Sequence, residues 1–92
     1  MEIIVETFYN PGEPSSNPIR VRPLPGQKLS QHYRVSCSVA LRESKTVGSL
    51  FRVNVSLVNQ PDADSYLKIG KYEKWVPVTE EEAKKFIQSL VS

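Results

Sequence analysis

The sequence predicts an α+β fold, a mostly antiparallel sheet of four to six strands with one C-terminal amphipathic helix packed on one face. Three observations predict it. Two segments alternate apolar and polar residues, several shorter extended segments end at turns containing Pro or Gly, and only residues 80–91 combine helical period, cap and length. With 92 residues, 39% of them hydrophobic, the chain has the size and composition of one small globular domain, 1–92.

Two segments carry the clearest strand pattern. In residues 33–42 alternate side chains are apolar, which puts five of them on one face that must be buried: Tyr33, Val35, Cys37, Val39 and Leu41. Residues 50–58 alternate in the same way and put four apolar side chains on one side: Phe51, Val53, Val55 and Leu57. The short connection 43–48 predicts that the two strands pair as an antiparallel hairpin.

Shorter extended segments flank this pair. Residues 2–9 are rich in β-branched and aromatic side chains and predict the first strand, while 19–22 predict a brief edge strand. The segment 10–18 between them contains three prolines, which predicts a surface loop. Further along, residues 65–69 predict another strand, and 71–78 predict a continued extended stretch.

The C-terminal segment predicts the helix. Thr79 and Glu82 have the spacing of a capping box, in which the hydroxyl accepts from a free amide and the carboxylate reaches back to the cap. The following apolar residues recur at helical spacing and form a core-facing stripe: Ala83, Phe86, Ile87, Leu90 and Val91. Lys84 and Lys85 lie on the predicted solvent-exposed side of the helix. We therefore expect the helix to cover one face of the sheet.

The residues that usually carry chemistry are sparse. A lone Cys37 allows no internal disulfide, and His32, five positions away, would point to the opposite face of a strand. A structural zinc site needs about four Cys or His ligands, more than this chain contains. The four glycines are scattered singly, so no phosphate-binding loop is present. We predict no catalytic residue, no metal site and no cofactor.

The chain ends and apolar runs predict a cytoplasmic location. The first six residues lack the basic stretch and the long apolar run of a secretory signal. No segment approaches the about 20 apolar residues that cross a bilayer, so we expect no membrane partner. A single cysteine suits a reducing compartment.

The basic residues are concentrated in the middle of the chain. Residues 18–74 have ten basic and four acidic side chains, a net charge of +6 within a total of +2. On the predicted hairpin the polar face would gather Arg34, Arg42, Arg52 and Asn54, and the edge strand would add Arg20 and Arg22. Nearby aromatic residues, namely Tyr66, Tyr72 and Trp75, would supply base stacking. The alternative is that this face has no binding role and is an ordinary solvent-exposed side of a sheet, with Trp75 as a core or subunit-interface anchor.

The segment 74–87, Lys-Trp-Val-Pro-Val-Thr-Glu-Glu-Glu-Ala-Lys-Lys-Phe-Ile, resembles the last strand and helix of the PC4-like and Whirly single-stranded-DNA-binding families. The resemblance is one of element order and spans residues 33–91. It implies four curved strands, a capped amphipathic helix and paired subunits that present basic sheets to a nucleic acid strand. It transfers no individual binding residue to this chain.

Two functions follow as hypotheses. The first is a non-catalytic module that binds single-stranded DNA or RNA through the basic sheet face, with a homodimer as the implied assembly. The second is a protein-interaction or assembly module that uses an exposed strand edge or the Trp75 region. A strong dependence of binding on salt would favour the first.

Overall fold

A computed structural model of the chain describes residues 1–10, 18–27, 29, 33–37, 39–43, 46–61, 63–70 and 74–91. Within them lie eight elements: β1 (Glu2–Tyr9), β2 (Ile19–Pro23), β3 (Val35–Ser36), α1 (Val39–Glu43), β4 (Leu50–Gln60), β5 (Ala63–Ile69), β6 (Val76–Val78) and α2 (Glu80–Val91). The strands form one sheet that is antiparallel except for one parallel pair. The predicted α+β class is confirmed.

The long strand β4 organises the sheet. The strand order is β2-β1-β4-β5-β3, and β6 also pairs with β4. One edge of β4 is bonded to β1 in the register Ile3 to Val53 and Val5 to Phe51. Its other edge is shared between β6, along the first residues, and β5, from Val55 onward. The extended stretch predicted after residue 65 is therefore two consecutive strands along one neighbour.

The main core lies on one face of this sheet. It is a cluster of buried apolar side chains from five elements: Ile3, Val5, Val21, Leu41, Phe51, Val53, Val55, Leu67 and Ile69. Phe51, fully buried, is among its largest members. The alternation predicted for β4 is confirmed at Phe51, Val53 and Val55, whereas Leu57 is 48% exposed near the far end of the strand. Burial in the core thus follows period 2 along the strand's first half only.

The predicted hairpin between residues 33–42 and 50–58 is wrong. β3 pairs with β5 in parallel, in the register Val35 to Leu67, and not with β4. The physical reason is that a strand has only two hydrogen-bonding edges. β1 and β6 occupy both edges of β4 at its first residues, and β5 occupies one edge from Val55 onward. β3 lies instead at the outer edge of β5.

The single long strand predicted over 33–42 is also wrong. Only Val35–Ser36 is strand, and the chain turns into the short helix α1 (Val39–Glu43). The predicted apolar face is buried only in part. Leu41 has no exposed surface, whereas Tyr33, Val35 and Cys37 are partly buried against the core. Positions four apart share a face in a strand and in a helix alike, so the spacing of Cys37 and Leu41 fits both.

A side-chain amide extends the edge of β1 where β2 stops at Pro23. The Gln27 Oε1 atom accepts a hydrogen bond from the Ile4 amide at 2.6 Å. Its Nε2 atom donates to the carbonyl oxygens of Ile4, at 2.8 Å, and of Leu24, at 3.0 Å. Gln27 is buried and substitutes for a backbone partner, which satisfies polar groups that would otherwise be left unpaired.

Helix α2 has the predicted start and length. The Glu82 amide donates to the Thr79 hydroxyl and the Thr79 amide donates to Glu82 Oε1, each at 3.1 Å, which confirms the capping box. The helix contacts β1 and β4, and a Cβ on Gly26, whose φ is 91°, would lie 3.2 Å from Ile87 Cγ2. Of the stripe, Ala83 is buried, but Leu90 is 41% exposed, which corrects its placement in the core.

The predicted loop over 10–18 lies mostly outside the described residues. At its ends, the Asn10 amide donates to the Pro18 carbonyl oxygen at 2.8 Å, which continues the β1–β2 ladder.

Among the described helices, neither has the length and apolar character needed to cross a membrane.

We expect Phe51→Ala to lower the free energy of unfolding by about 3–5 kcal/mol, because it leaves a cavity in the fully buried core. Phe86→Ala is the matched control and should cost clearly less, since Phe86 is only half-buried. Urea unfolding of both variants measures the difference. Equal losses would contradict the assignment of the core.

We expect Gln27→Leu to lower the free energy of unfolding by about 1–3 kcal/mol, because it leaves the buried Ile4 amide without its acceptor. Gln88→Leu, the same change on the exposed side of α2, is the control and should be nearly neutral. Urea unfolding again gives the comparison. A Gln27→Leu variant as stable as the parent would show that the side-chain amide is dispensable.

Candidate anion-binding cavity

A cavity of about 650 Å³ lies where the two ends of the sheet meet. β2 and β3 stand at opposite ends of the strand order, yet they are in contact, so the sheet curves until its edge strands approach each other. The cavity is lined by residues from β2, β3 and α1, together with single side chains of β1, β4 and β5. A smaller cavity, of about 330 Å³, lies between the start of β4 and the start of α2.

Four arginines line this cavity: Arg20, Arg22, Arg34 and Arg42. Arg20 and Arg22 are two apart on β2 and so share a face, Arg34 immediately precedes β3, and Arg42 lies in the last turn of α1. No acidic side chain lies among the described residues of the lining. Positive charge is therefore brought from three separate elements to one concave surface.

Arg22 is held in place by its neighbours on β1. Its Nε atom donates to Glu6 Oε1 at 2.7 Å, across the strand pair in which the two residues are partners. Its guanidinium carbon also lies 4.5 Å from the centre of the Phe8 ring, a cation–π distance. The charge of Arg22 is thus partly neutralised, and its position in the cavity wall is fixed by two contacts.

Arg42 has an unused donor. Its Nη2 atom donates to the Cys37 carbonyl oxygen at 3.3 Å, which ties the short helix to the end of β3. Its Nε atom is buried and makes no hydrogen bond to any residue that the structure describes. An unpaired buried donor costs about 1–3 kcal/mol, so the position of Arg42 Nε opposes folding by about that amount.

Aromatic rings form part of the wall. Phe8, Tyr33 and Tyr66 line the cavity, Phe8 beneath Arg22 and Tyr66 on β5. Tyr33 also packs against the core, as its place in the period-2 pattern predicts. That pattern assigned Tyr33 to the buried face alone, so its role in the wall could not be read from the sequence.

The structure divides the eight predicted site residues. The cavity collects Arg20, Arg22, Arg34 and Arg42 but not Arg52, Asn54 or Trp75, and Tyr72 lies outside the described residues. Arg52 forms a salt bridge with Glu2, with 3.5 Å between Nε and Oε2. Asn54 Oδ1 accepts a hydrogen bond from the Met1 nitrogen at 2.7 Å. Trp75 is half-buried against the core.

The predicted basic sheet face is therefore wrong in its composition. It required β3 and β4 to be paired so that Arg34 and Arg52 shared one surface. β4 pairs with β1 instead, which places Arg52 opposite Ile4, whereas Arg34 lies beside β5. The arginines that do converge come together through the curvature of the sheet.

Cys37 lines the cavity beside Arg42. Burial raises the pKa of the Cys37 thiol, and the nearby charge of Arg42 and its hydrogen bond only partly offset that rise. The thiol is therefore mostly protonated near neutral pH. Among the described residues, no three His, Cys, Asp or Glu side chains come together as metal ligands, and His32 lies outside them.

Comparison of the chain with protein-family models, curated proteins and solved structures finds no significant match. The resemblance to the PC4-like and Whirly families remains a prediction.

We expect Arg42→Gln to raise the pKa of Cys37 further, because the substitution removes a cation and a hydrogen bond that favour the thiolate. The rate of alkylation by iodoacetamide, followed from about pH 7 to 10, should then reach its midpoint at higher pH. Arg52→Gln, an equal loss of charge outside the cavity, should leave the midpoint unchanged. An unchanged midpoint in Arg42→Gln would mean that the two side chains do not interact.

Proposed function

We propose that this chain is a non-catalytic module that binds single-stranded nucleic acid at the arginine cavity. The observation that carries the proposal is the convergence of four arginines from β2, β3 and α1 on one concave surface without an acidic residue in its described lining. Guanidinium groups present planar pairs of donors that match phosphate oxygens, and they remain charged at every physiological pH.

The aromatic wall favours a single strand over a duplex. In a duplex the bases are stacked on one another and cannot reach a recessed ring, whereas a single strand can turn a base toward Tyr33 or Tyr66. Stacking of one base on an aromatic side chain contributes about 1–3 kcal/mol and is tolerant of sequence. Binding without strong base preference, to DNA or RNA, follows from this arrangement. A cytoplasmic location suits both kinds of strand.

A protein-interaction or assembly module is the alternative, and one feature favours it. β6 is bonded to β4 along one edge, and its other edge has no strand partner among the described residues. Val76 on this short strand is 43% exposed and stands next to Trp75. A second copy of the chain or another protein could add a strand here, as a homodimer would require.

The proposal predicts that binding to a labelled mixed-sequence single strand weakens steeply with salt. Each phosphate contact contributes about 0.7 to the slope of log affinity against log salt, so changing Arg20 and Arg34 together to Gln should lower the slope by about one to two units. Fluorescence titration at several salt concentrations measures the slope, and circular dichroism verifies the fold of the variant.

Two controls accompany this titration. Changing Lys84 and Lys85 to Gln removes the same charge from the exposed side of α2 and should leave the slope nearly unchanged. Arg52→Gln makes the same chemical change on the sheet but outside the cavity. Equal losses from all variants would indicate diffuse attraction, and no binding at low salt would refute the proposal. A salt-tolerant self-complex that buries Trp75 would favour the alternative.

A further inference from the structure

The arginine cavity has the dimensions of a site for a small ligand. Its arginines come from β2 on one side and from α1 and the residue before β3 on the other, and its volume of about 650 Å³ falls within the range of about 300–1,000 Å³ found for such sites. A continuous strand needs a groove that is open in both directions. A recess of this size suits one nucleotide unit, and the end of a strand supplies such a unit without bending the chain.

The positive charge that lines the recess is larger than the single negative charge of an internal phosphodiester. Arg22 is paired with Glu6, but the described residues give Arg34 and Arg42 no carboxylate partner. A phosphodiester carries a single negative charge. A terminal phosphate monoester carries about −1.5 to −2 at neutral pH and offers three acceptor oxygens. Two guanidinium groups that have no carboxylate partner among the described residues match the monoester better than the diester.

Arg34 and Arg42 both line the recess. The three oxygens of a monoester can accept from both guanidinium groups at once. Tyr33 and Tyr66 of the wall are then the rings available to the terminal base.

We propose that the arginine cavity binds the phosphorylated end of a single-stranded nucleic acid, with the phosphate monoester between Arg34 and Arg42 and the terminal base against the aromatic wall. This inference rests on the proposed function and narrows its ligand from any single strand to one with a terminal phosphate.

The test compares one short single strand in three forms, with a 5′-phosphate, with a 3′-phosphate and with hydroxyls at both ends, each labelled internally. One phosphorylated form should bind the parent protein about tenfold more tightly than the hydroxyl form, the difference expected for an added charge-assisted contact. The preference should diminish as pH falls below about 6, where the monoester takes up its second proton and its charge approaches that of a diester.

Single substitutions then test whether the preference for a phosphorylated end depends on the cavity. Arg42→Gln should abolish the preference for the phosphorylated end, and the matched Arg52→Gln variant should retain it. Protection of Cys37 from iodoacetamide by the phosphorylated strand gives an independent readout, because the thiol lines the same cavity. The comparison of the three strands uses the parent protein and does not depend on any variant folding.

The outcomes separate this inference from the function on which it rests. Equal, salt-dependent affinity for all three strands would overturn the end-binding inference and leave single-strand binding standing. Absence of binding to every strand would overturn both. Competition by a nucleoside 5′-monophosphate well above that of inorganic phosphate would support recognition of a nucleotide end. Equal competition by a phosphoserine peptide would overturn it, because the base would then contribute nothing.

Discussion

The double pairing of β4 is the constraint on which the rest of the structure depends. Once β1 occupies one edge of this strand and β5 and β6 share the other, no edge is left for the segment around Val35 beside the strand's central part. That segment is placed outside β5 instead, in parallel. Core burial at Phe51 and Val53 holds this arrangement together, since both are fully or almost fully removed from solvent.

The candidate cavity is a consequence of where β3 is placed. With β3 at one end of the strand order and β2 at the other, curvature of the sheet brings the two edges into contact and closes a recess between them. Sheets twist because of backbone sterics, and the edge strands of a twisted sheet can approach each other when it curls. The arginines on β2 thereby face those near β3 and α1, although more than ten positions separate them in sequence.

Gathering several guanidinium groups on one surface opposes folding through like-charge repulsion, and the chain offsets part of it. Glu6 comes from the acidic first segment and meets Arg22 because β1 and β2 pair in register. Phe8 adds its ring to the same arginine. The buried Nε atom of Arg42, by contrast, has no hydrogen-bond partner among the described residues.

The local features of this protein follow from its amino-acid sequence. The capping box at Thr79 and Glu82, the helix of residues 80–91 and the alternation through Phe51 and Val53 depend on neighbours a few positions away, so propensity and periodicity predict them. The α+β class follows from those elements. Four of the five candidate arginines line the candidate cavity, whose role is a proposal.

Only the tertiary structure decided which residues meet. Which strands pair depends on competition between distant segments for the same strand edges. The periodicity of apolar residues within one segment does not predict the outcome of that competition. This is why the predicted hairpin and the polar face predicted to be shared by Arg34 and Arg52 were wrong. The end of the strand near Cys37 was unpredictable for a different reason, since a four-residue spacing fits strand and helix equally. Long-range packing around β4 determines both the pairing partner of β3 and the end of the strand near Cys37. The cavity is a consequence of these two features.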